Sequence, residues 1–565
     1  DNFKYKNQGT QSQRRDEGAH SVPVTQGNLM PYRLAIWRET ISRYRIAVRN
    51  YHEALSKMQT NVDNEDKAPC FSKAPVEQYY EKPLTPAETS LDTAAWRVRL
   101  DKVTSVFAEY PELENGSAVI NSGYERKYIV NSEGSVVVQN RRVIQLSIMA
   151  SAIADDGYEC PMQKSYFAFD ESQLPSTDSL VAAARDIVER IFKLRAAPVA
   201  DPYTGPAILS GDASGVLFHE IFGHRLESHR MKTGGQTFKK MVGQSVLPAD
   251  FNVYSDPTLK YYGNDGLNGY YLYDDEGTKA RRVTNVKNGK LTEFLMGRLP
   301  IEGFPSSNGH ARASGGTDPV SRQSNLIIET SKPYTDAQLR QMLKDEAKKQ
   351  GKEYGYYFRS ATSGLTFTGE GNTINSFNVD PVEVYRIYVD GRPDELVRGV
   401  TLIGTPLSVF SNVTAGGETP KVFFGSCGAE SGWIPVTAIA PSVLVSKIET
   451  QRNSITRPLP RVLPKPELRN TNHTNGKDDC IMTAMKDEMA RTIEGLKTES
   501  QDKPCFVDYY MEKYRYFYVQ ATLGEIERTT HTPFIIQGKA NVLLGDKNRT
   551  SAINDNMQSF LITTG

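Results

Sequence analysis

Two histidines five residues apart, with a glutamate after the first and a glycine before the second, constrain this chain most: His219-Glu220-Ile221-Phe222-Gly223-His224. Neutral imidazole is a favoured zinc ligand, and a glutamate beside a ligand can deprotonate a zinc-bound water. The familiar metal helix spaces its histidines i, i+4, so that both lie on one face. One residue more changes the geometry: at about 100° per residue, an i, i+5 pair diverges by roughly 140° on an ideal helix. If both rings serve one ion, the helix is kinked or carries a π-bulge, and Gly223 is where a kink costs least. Otherwise the pair is an accident.

The chain supplies a control. His52-Glu53 repeats the dipeptide, no second histidine follows, and that copy reads as a solvated pair on a long helix. With only eight histidines in 565 residues, the pair at 219 and 224 is the pointed one. A third ligand is needed. Of Cys70, Cys160, Cys427, Cys480 and Cys505, only Cys427 stands where an apolar strand, Val422-Phe423-Phe424, runs into a glycine-flanked turn, Gly425-Ser426-Cys427-Gly428. Flanking glycines let backbone and ligand approach closely. Two His and one Cys leave one tetrahedral position open, as a catalytic zinc requires. The alternative for Cys427 is a small buried hydrophobe, the commoner fate of a free cysteine.

The run from Gly215 to His229 resembles the metal-binding helix of the bacterial TldD/PmbA metallopeptidases, whose signature is H-E-x-x-x-H with a distant Cys as third zinc ligand. The resemblance continues in order through residues 274–278, the Asn288-Gly289 hairpin, residues 308–312, 321–325, 425–428 and 436–441, so that it covers roughly residues 200 to 460. It implies that His219, His224 and Cys427 hold Zn²⁺ and that Glu220 is the general base. It further implies a zinc-dependent metallopeptidase that hydrolyses small or unstructured peptides through a Glu-activated zinc-bound water. Family members work as dimers, so a homodimer, or a heterodimer with a related subunit, is expected. Partner subunits that lack the ligands do not cleave peptides; this chain has all four residues and resembles the catalytic type. Glu227 matches an acidic family position, where it either orients a ligand histidine or makes a surface salt bridge. Arg312, Arg322 and Asn325 are candidates for gripping peptide or supporting the cleft wall, each against a purely structural alternative. His229 lies outside the motif and reads as surface. Two other classes remain: a non-catalytic peptide-binding or maturation partner, and a non-peptidase zinc hydrolase.

Lys+Arg and Asp+Glu balance at 67 each, so no general electrostatic case exists for nucleic acid, a membrane surface or strongly charged substrates. No run approaches the eighteen or so apolar residues of a membrane span. The start, Asp1-Asn2-Phe3-Lys4-Tyr5, reads as neither an initiator Met nor a signal peptide. The resemblance implies a cytoplasmic protein; the four cysteines other than Cys427 fit either two disulfides in a periplasmic or secreted setting or reduced thiols.

The fold class read from periodicity and resemblance is α+β. A mixed α/β lobe is expected over residues 1–198. A β-rich, barrel-like catalytic lobe carrying the kinked helix follows over 199–460, then a linker (461–479) and a final segment (480–565). Residues 1–28 are polar and read as a loop. A long helix from Pro31 carries Leu34, Trp37, Ile41, Tyr44, Val48, Tyr51, Leu55 and Met58 at steps of three and four, a narrow seam expected to join the core, with a partner helix as the alternative. Strands are expected over 125–138 and 143–152. A helix over 179–194 follows, with Leu180, Ala183, Ile187, Ile191 and Leu194 inward. The catalytic lobe shows hairpins at Asn288-Gly289 and Asp390-Gly391, a helix over 336–350 capped by Thr335, and strands over 422–425 and 436–448. Four prolines in 457–466 read as a terminus. Residues 480–565 resemble the start of a TldD/PmbA N-terminal lobe. They are expected to complete the first lobe by circular permutation or subunit exchange, with a truncated tandem copy as the rival.

Overall fold

The computed structural model describes residues 29–60, 68–233, 238–314, 316–367, 376–452, 480–495 and, with short gaps, 506–563. The readings of residues 1–28, the proline-rich stretch 457–466 and the linker 461–479 fall outside these. The described chain forms two compact units, a larger one from residues 47–154 and 158–455 and a smaller one drawing on residues 19–46, 155–157 and 456–565.

Helix α1 (Met30–Thr60) forms as its spacing predicts. Its seam does not join a core: Trp37, Ile41, Tyr44, Val48, Tyr51 and Leu55 are all exposed, Trp37 by 58% and Tyr44 by 68%. Steps of three and four make a stripe only two residues wide, which suits a helix–helix seam better than a sheet face.

In the larger unit, helix α2 (Thr93–Ala108) is followed by the antiparallel strands β1 (Leu113–Val130), β2 (Val136–Ile153) and β3 (Glu159–Ala168), then by helix α3 (Thr177–Ala196). Strand β1 begins at Leu113, well before the expected 125, because its ladder with β2 runs through Gly116, Asn121, Ser122 and Gly123. Those residues have low strand propensity, and cross-strand pairing overrides it. Alternate β2 residues Ile144, Leu146, Ile148, Ala150 and Ala152 share a buried cluster with Leu180, Ala183, Ile187, Ile191 and Leu194 of α3, the inward set that the sequence indicates. Ser176 caps α3 by accepting from the Ser179 amide.

The rest of this unit combines a barrel with a second sheet. It comprises β4 (Tyr203–Leu209), α4 (Gly211–Ile221), β5 (Phe251–Ser255), β6 (Val283–Lys287), β7 (Asn325–Thr330), α5 (Asp336–Lys349), β8 (Tyr354–Phe367), β9 (Ser376–Tyr388), β10 (Val400–Gly404), β11 (Lys421–Ala429), β12 (Gly432–Ala440) and β13 (Val443–Arg452). Strands β4, β8, β9, β10 and β13 pair in that order, and β13 returns to β4, closing a five-stranded barrel. Strands β6, β5, β7, β12 and β11 form the second sheet. The Asn288-Gly289 turn after β6 holds both residues at positive φ (49° and 75°), as a two-residue hairpin needs. Thr335 caps α5 in a reciprocal box with Gln338.

Helix α4 packs between barrel and sheet, touching β8 on one side and β11 and β12 on the other. Every residue of it except Asp212 is buried. Leu217, Phe218, Ile221 and Phe222 share one core with Tyr356, Phe358, Phe377 and Phe410. A helix apolar on all sides is stable only in such a position. The barrel and the sheet therefore grip the His219–His224 sequence from both sides.

In the smaller unit, helix α6 (Cys480–Gly495) precedes β14 (Phe506–Tyr514), the hairpin β15 (Phe517–Thr522) with β16 (Glu525–His531), β17 (Ile535–Leu543) and β18 (Phe560–Thr563). Strand β17 pairs with both β14 and β18. Among the described residues, no helix is long and apolar enough to cross a membrane. Cys70, Cys160 and Cys427 are free thiols.

Candidate metal centre

The extra residue between the histidines is absorbed by ending the helix, where a kink or π-bulge within it was expected. Helix α4 stops at Ile221, Phe222 takes φ −118°, and residues Gly223–Arg225 continue as a 3-10 turn. His219 thus belongs to the helix and His224 to the tighter turn, which swings the second ring back toward the first. The ring centroids lie 5.0 Å apart at 82°. Gly223 matters here for space: a Cβ on it would fall 1.7 Å from Oε1 of Gln323, whose amide nitrogen lies 3.4 Å from His219 Nε2 and 3.3 Å from the His219 carbonyl.

Cys427 enters from β11. It sits inside the strand, paired with Ile434 of β12, and the turn comes later at residues 430–431. The flanking glycines had suggested a turn at Cys427 itself. Gly428 instead makes room for the indole of Trp433, since a Cβ there would lie 2.8 Å from that ring. The sulfur reaches 3.3 Å from His224 Nε2. One ligand atom from each of His219, His224 and Cys427 lies within 4.8 Å of the others, and all three residues are buried.

Charged neighbours organise the set. Glu227, fully buried, lies 3.0 Å from His224 Nδ1, accepts from Arg230 Nε at 2.8 Å and faces Arg322 Nε at 3.4 Å. Of the two roles read for it, orienting a ligand histidine is the one its burial suits. Burial alone would raise this carboxyl, but His224 and Arg230 hold it well below the usual carboxylate range. Burial also opposes a charged His224, yet the Cys427 sulfur and Glu227 outweigh it and raise the ring to about 10. The Cys427 thiol, which burial would push up, is held well below the usual thiol range by the two imidazoles. Arg322 donates through Nη2 to the Cys427 carbonyl at 2.8 Å and to its sulfur at 3.2 Å.

Glu220, beside His219, is 7% exposed and its carboxylate has no hydrogen-bond partner among the described residues. Strand β8 passes close to it at Gly364, where a Cβ would lie 2.4 Å from Glu220 Cγ and 2.9 Å from Cδ. Arg225 fastens the end of the helix, donating to the Glu220 carbonyl at 2.7 Å and to Thr366 at 3.0 Å.

A model of the PmbA/TldA metallopeptidase C-terminal domain matches residues 202–452, the stretch that contains all of these groups. This stretch is a TldD/PmbA-family domain. A metalloprotease of Methanothermobacter thermautotrophicus is 26% identical over 359 residues, which cover 61% of this chain and 69% of the relative. One of Archaeoglobus fulgidus is 28% identical over 267 residues, 47% of this chain and 58% of the relative. A metalloprotease TldD homologue of Buchnera aphidicola is 24% identical over 344 residues, 59% and 67%. These relatives are archaeal as well as bacterial, and all three carry the name metalloprotease. A crystal structure of a Thermotoga maritima MSB8 protein described as a modulator of a DNA gyrase shares the fold, with TM-score 0.50, 17% identity, 71% of this chain and 83% of that one.

The other expected residues are more deeply placed than a TldD/PmbA substrate grip would suggest. Asn325 is fully buried and donates to the carbonyls of Asp256 and Leu259, both at 2.9 Å. Arg322 is fully buried as well. Arg312 is 6% exposed and ties the Gln323 and Pro435 carbonyls together at 2.7 Å each, but it also lines a cavity. His229, read as surface, is buried: it pairs with Glu430 and lies 3.1 Å from Ser321 Oγ. Gln323, Glu430 and Arg225 were not singled out by sequence. Ser321 to Asn325 are five polar residues in a row, all buried, and such a run carries no periodicity that separates it from a loop.

Proposed function

We propose that this chain is a zinc-dependent metallopeptidase hydrolysing small or unstructured peptides, with His219, His224 and Cys427 as metal ligands and Glu220 as general base. The supporting observation is the convergence of two imidazoles and a thiol, all within 4.8 Å of one another, beside an unengaged carboxylate. A soft N₂S donor set suits zinc, and three protein ligands leave one position for chemistry. Zinc held there supplies Lewis acidity toward a scissile carbonyl and lowers the pKa of a water.

The chain's own residues do the rest. Glu220 takes the proton of the attacking water and returns it to the leaving amine. Glu227 keeps His224 in one orientation and leaves Nε2 facing Cys427. Arg322 pins Cys427 by carbonyl and sulfur. Barrel and sheet exclude bulk water from helix α4, so these charges act in a low dielectric.

The test is digestion of a mixed pool of unstructured peptides by the full chain. New termini are expected with zinc, none after chelation, and recovery on adding zinc back; a pool left intact with zinc bound overturns the proposal. Gly364→Ala probes the base separately. Its methyl would displace the Glu220 carboxylate, and a shift near 1 Å costs roughly 100-fold in turnover. The expected result is that loss in kcat with zinc content still near one per chain, by metal analysis.

A further inference from the structure

A cavity of about 500 Å³ lies within the larger unit, walled by β1 and β2 on one side and by residues 270–275, 312–314 and 433–435 on the other. Arg141 of β2 and Arg312 both line it, and neither is hydrogen-bonded to a carboxylate. Arg141 donates through Nη2 to the Asn268 carbonyl at 3.2 Å and to Asn268 Oδ1 at 2.7 Å. Arg312 uses Nη1 for its two backbone carbonyls and stacks over Tyr271, 5.0 Å from the ring centre. Their remaining N–H groups have no acceptor among the described residues.

The cavity wall also carries carboxylates, and they are engaged elsewhere: Glu81 accepts from Tyr79 and from the Asn140 amide, Glu88 accepts from the Thr85 amide, Glu125 lies 3.9 Å from Lys127, and Asp170 accepts from the Ser172 amide. Asp275 pairs with Lys127 at 2.7 Å and accepts from the Ala313 amide at 2.8 Å. Asp274 accepts from the amides of Glu276, Thr278 and Ala311. Burial lowers Arg141 to about 10, with the Arg312 charge adding to it and Glu125 and Asp275 only partly opposing it. A half-buried guanidinium with open donors, sharing a cavity with the buried Arg312, is costly unless an anion joins it, and a carboxylate matches the planar fork best.

The cavity adjoins the metal centre. Ile434, in its wall, is the cross-strand partner of Cys427. Directly paired residues lie about 5 Å apart and an extended peptide advances about 3.4 Å per residue, so a group held here falls within about three residues of the scissile bond. We infer that this cavity is a carboxylate-binding subsite of the peptide cleft, which takes either the α-carboxylate of a short peptide or an Asp or Glu side chain near the cleaved bond. The inference rests on the metallopeptidase reading.

The test measures binding without turnover, on the full-length Glu220→Gln chain, by fluorescence anisotropy. The probes are a labelled unstructured peptide as free acid and as C-terminal amide, and amidated peptides carrying Asp or Asn at successive positions. Charge-assisted bonds to a carboxylate predict roughly 10- to 100-fold tighter binding of the charged form. Arg141→Gln in the same background should bring that affinity down to the neutral peptide's. A preference for the free acid assigns the α-carboxylate, and one for Asp assigns the side chain. Equal affinity of every charged peptide and its neutral counterpart, or no binding by any, overturns the subsite. The peptide comparison stands even where the Arg141 variant fails to fold. Failure of the peptidase reading shows differently, as absent zinc-dependent cleavage by the native chain.

Discussion

Glu220→Gln is expected to remove peptide hydrolysis while zinc stays near one per chain. The amide keeps the shape of the carboxylate, and that matters at a residue only 7% exposed and passed closely by Gly364. What changes is proton affinity. Loss of a positioned general base costs typically 10²- to 10⁴-fold, so single-turnover rates should fall by about that factor. The three proposed ligands are untouched, and metal analysis separates loss of base from loss of ion. Retained activity would remove Glu220 from the mechanism and leave the hydrolase reading without a proton acceptor.

Replacing Glu227 by Ala should strike both metal affinity and stability. This carboxylate is fully buried among His224, Arg230 and Arg322. Its removal frees the His224 ring, and loss of such an orienting partner weakens metal binding typically 10- to 100-fold. It also strands buried guanidinium charge, which costs roughly 3–5 kcal/mol when one partner of a buried pair is deleted. Chelator competition for zinc and thermal unfolding of the apo chain read the two effects independently. Glu227→Gln keeps an acceptor for His224 but no charge, so it should recover part of the zinc affinity and less of the stability. An Ala variant with unchanged zinc affinity would show that the carboxylate serves packing alone.

The candidate ligands were legible because their side-chain types are scarce and their chemistry is particular. His219, His224 and Cys427 stood out by composition and spacing, and Gly223 marked where the helix had to give. The form of the break was not legible: α4 stops at Ile221 and a 3-10 turn follows, with Gln323, about a hundred residues away in the chain, filling the space beside Gly223. Cys427 was recognised but misplaced. Glycines 425 and 428 suggest a turn, whereas Gly428 serves the indole of Trp433 within a strand. Glycine in a sequence signals close approach without saying whether chain or side chain approaches.

Overall charge balance gave no case for charged substrates, because a sum over 67 bases and 67 acids cannot register two guanidiniums in one cavity whose hydrogen bonds go to carbonyls and an amide oxygen and to no carboxylate. The exposed seam of α1 is the converse case, an apolar stripe whose spacing was plain but whose neighbour no local pattern names.

Local chemistry in the chain was enough to set many element types, the inward face of α3, the Thr335 cap and the His219–His224 pair, since each depends on residues a few positions apart. Which polar residues lie buried, how far the barrel closes, and that Arg141 and Arg312 line one cavity were decided only in three dimensions. Those outcomes depend on contacts between segments more than a hundred residues apart, whose pairing energy appears only once barrel and sheet have closed on the helix between them.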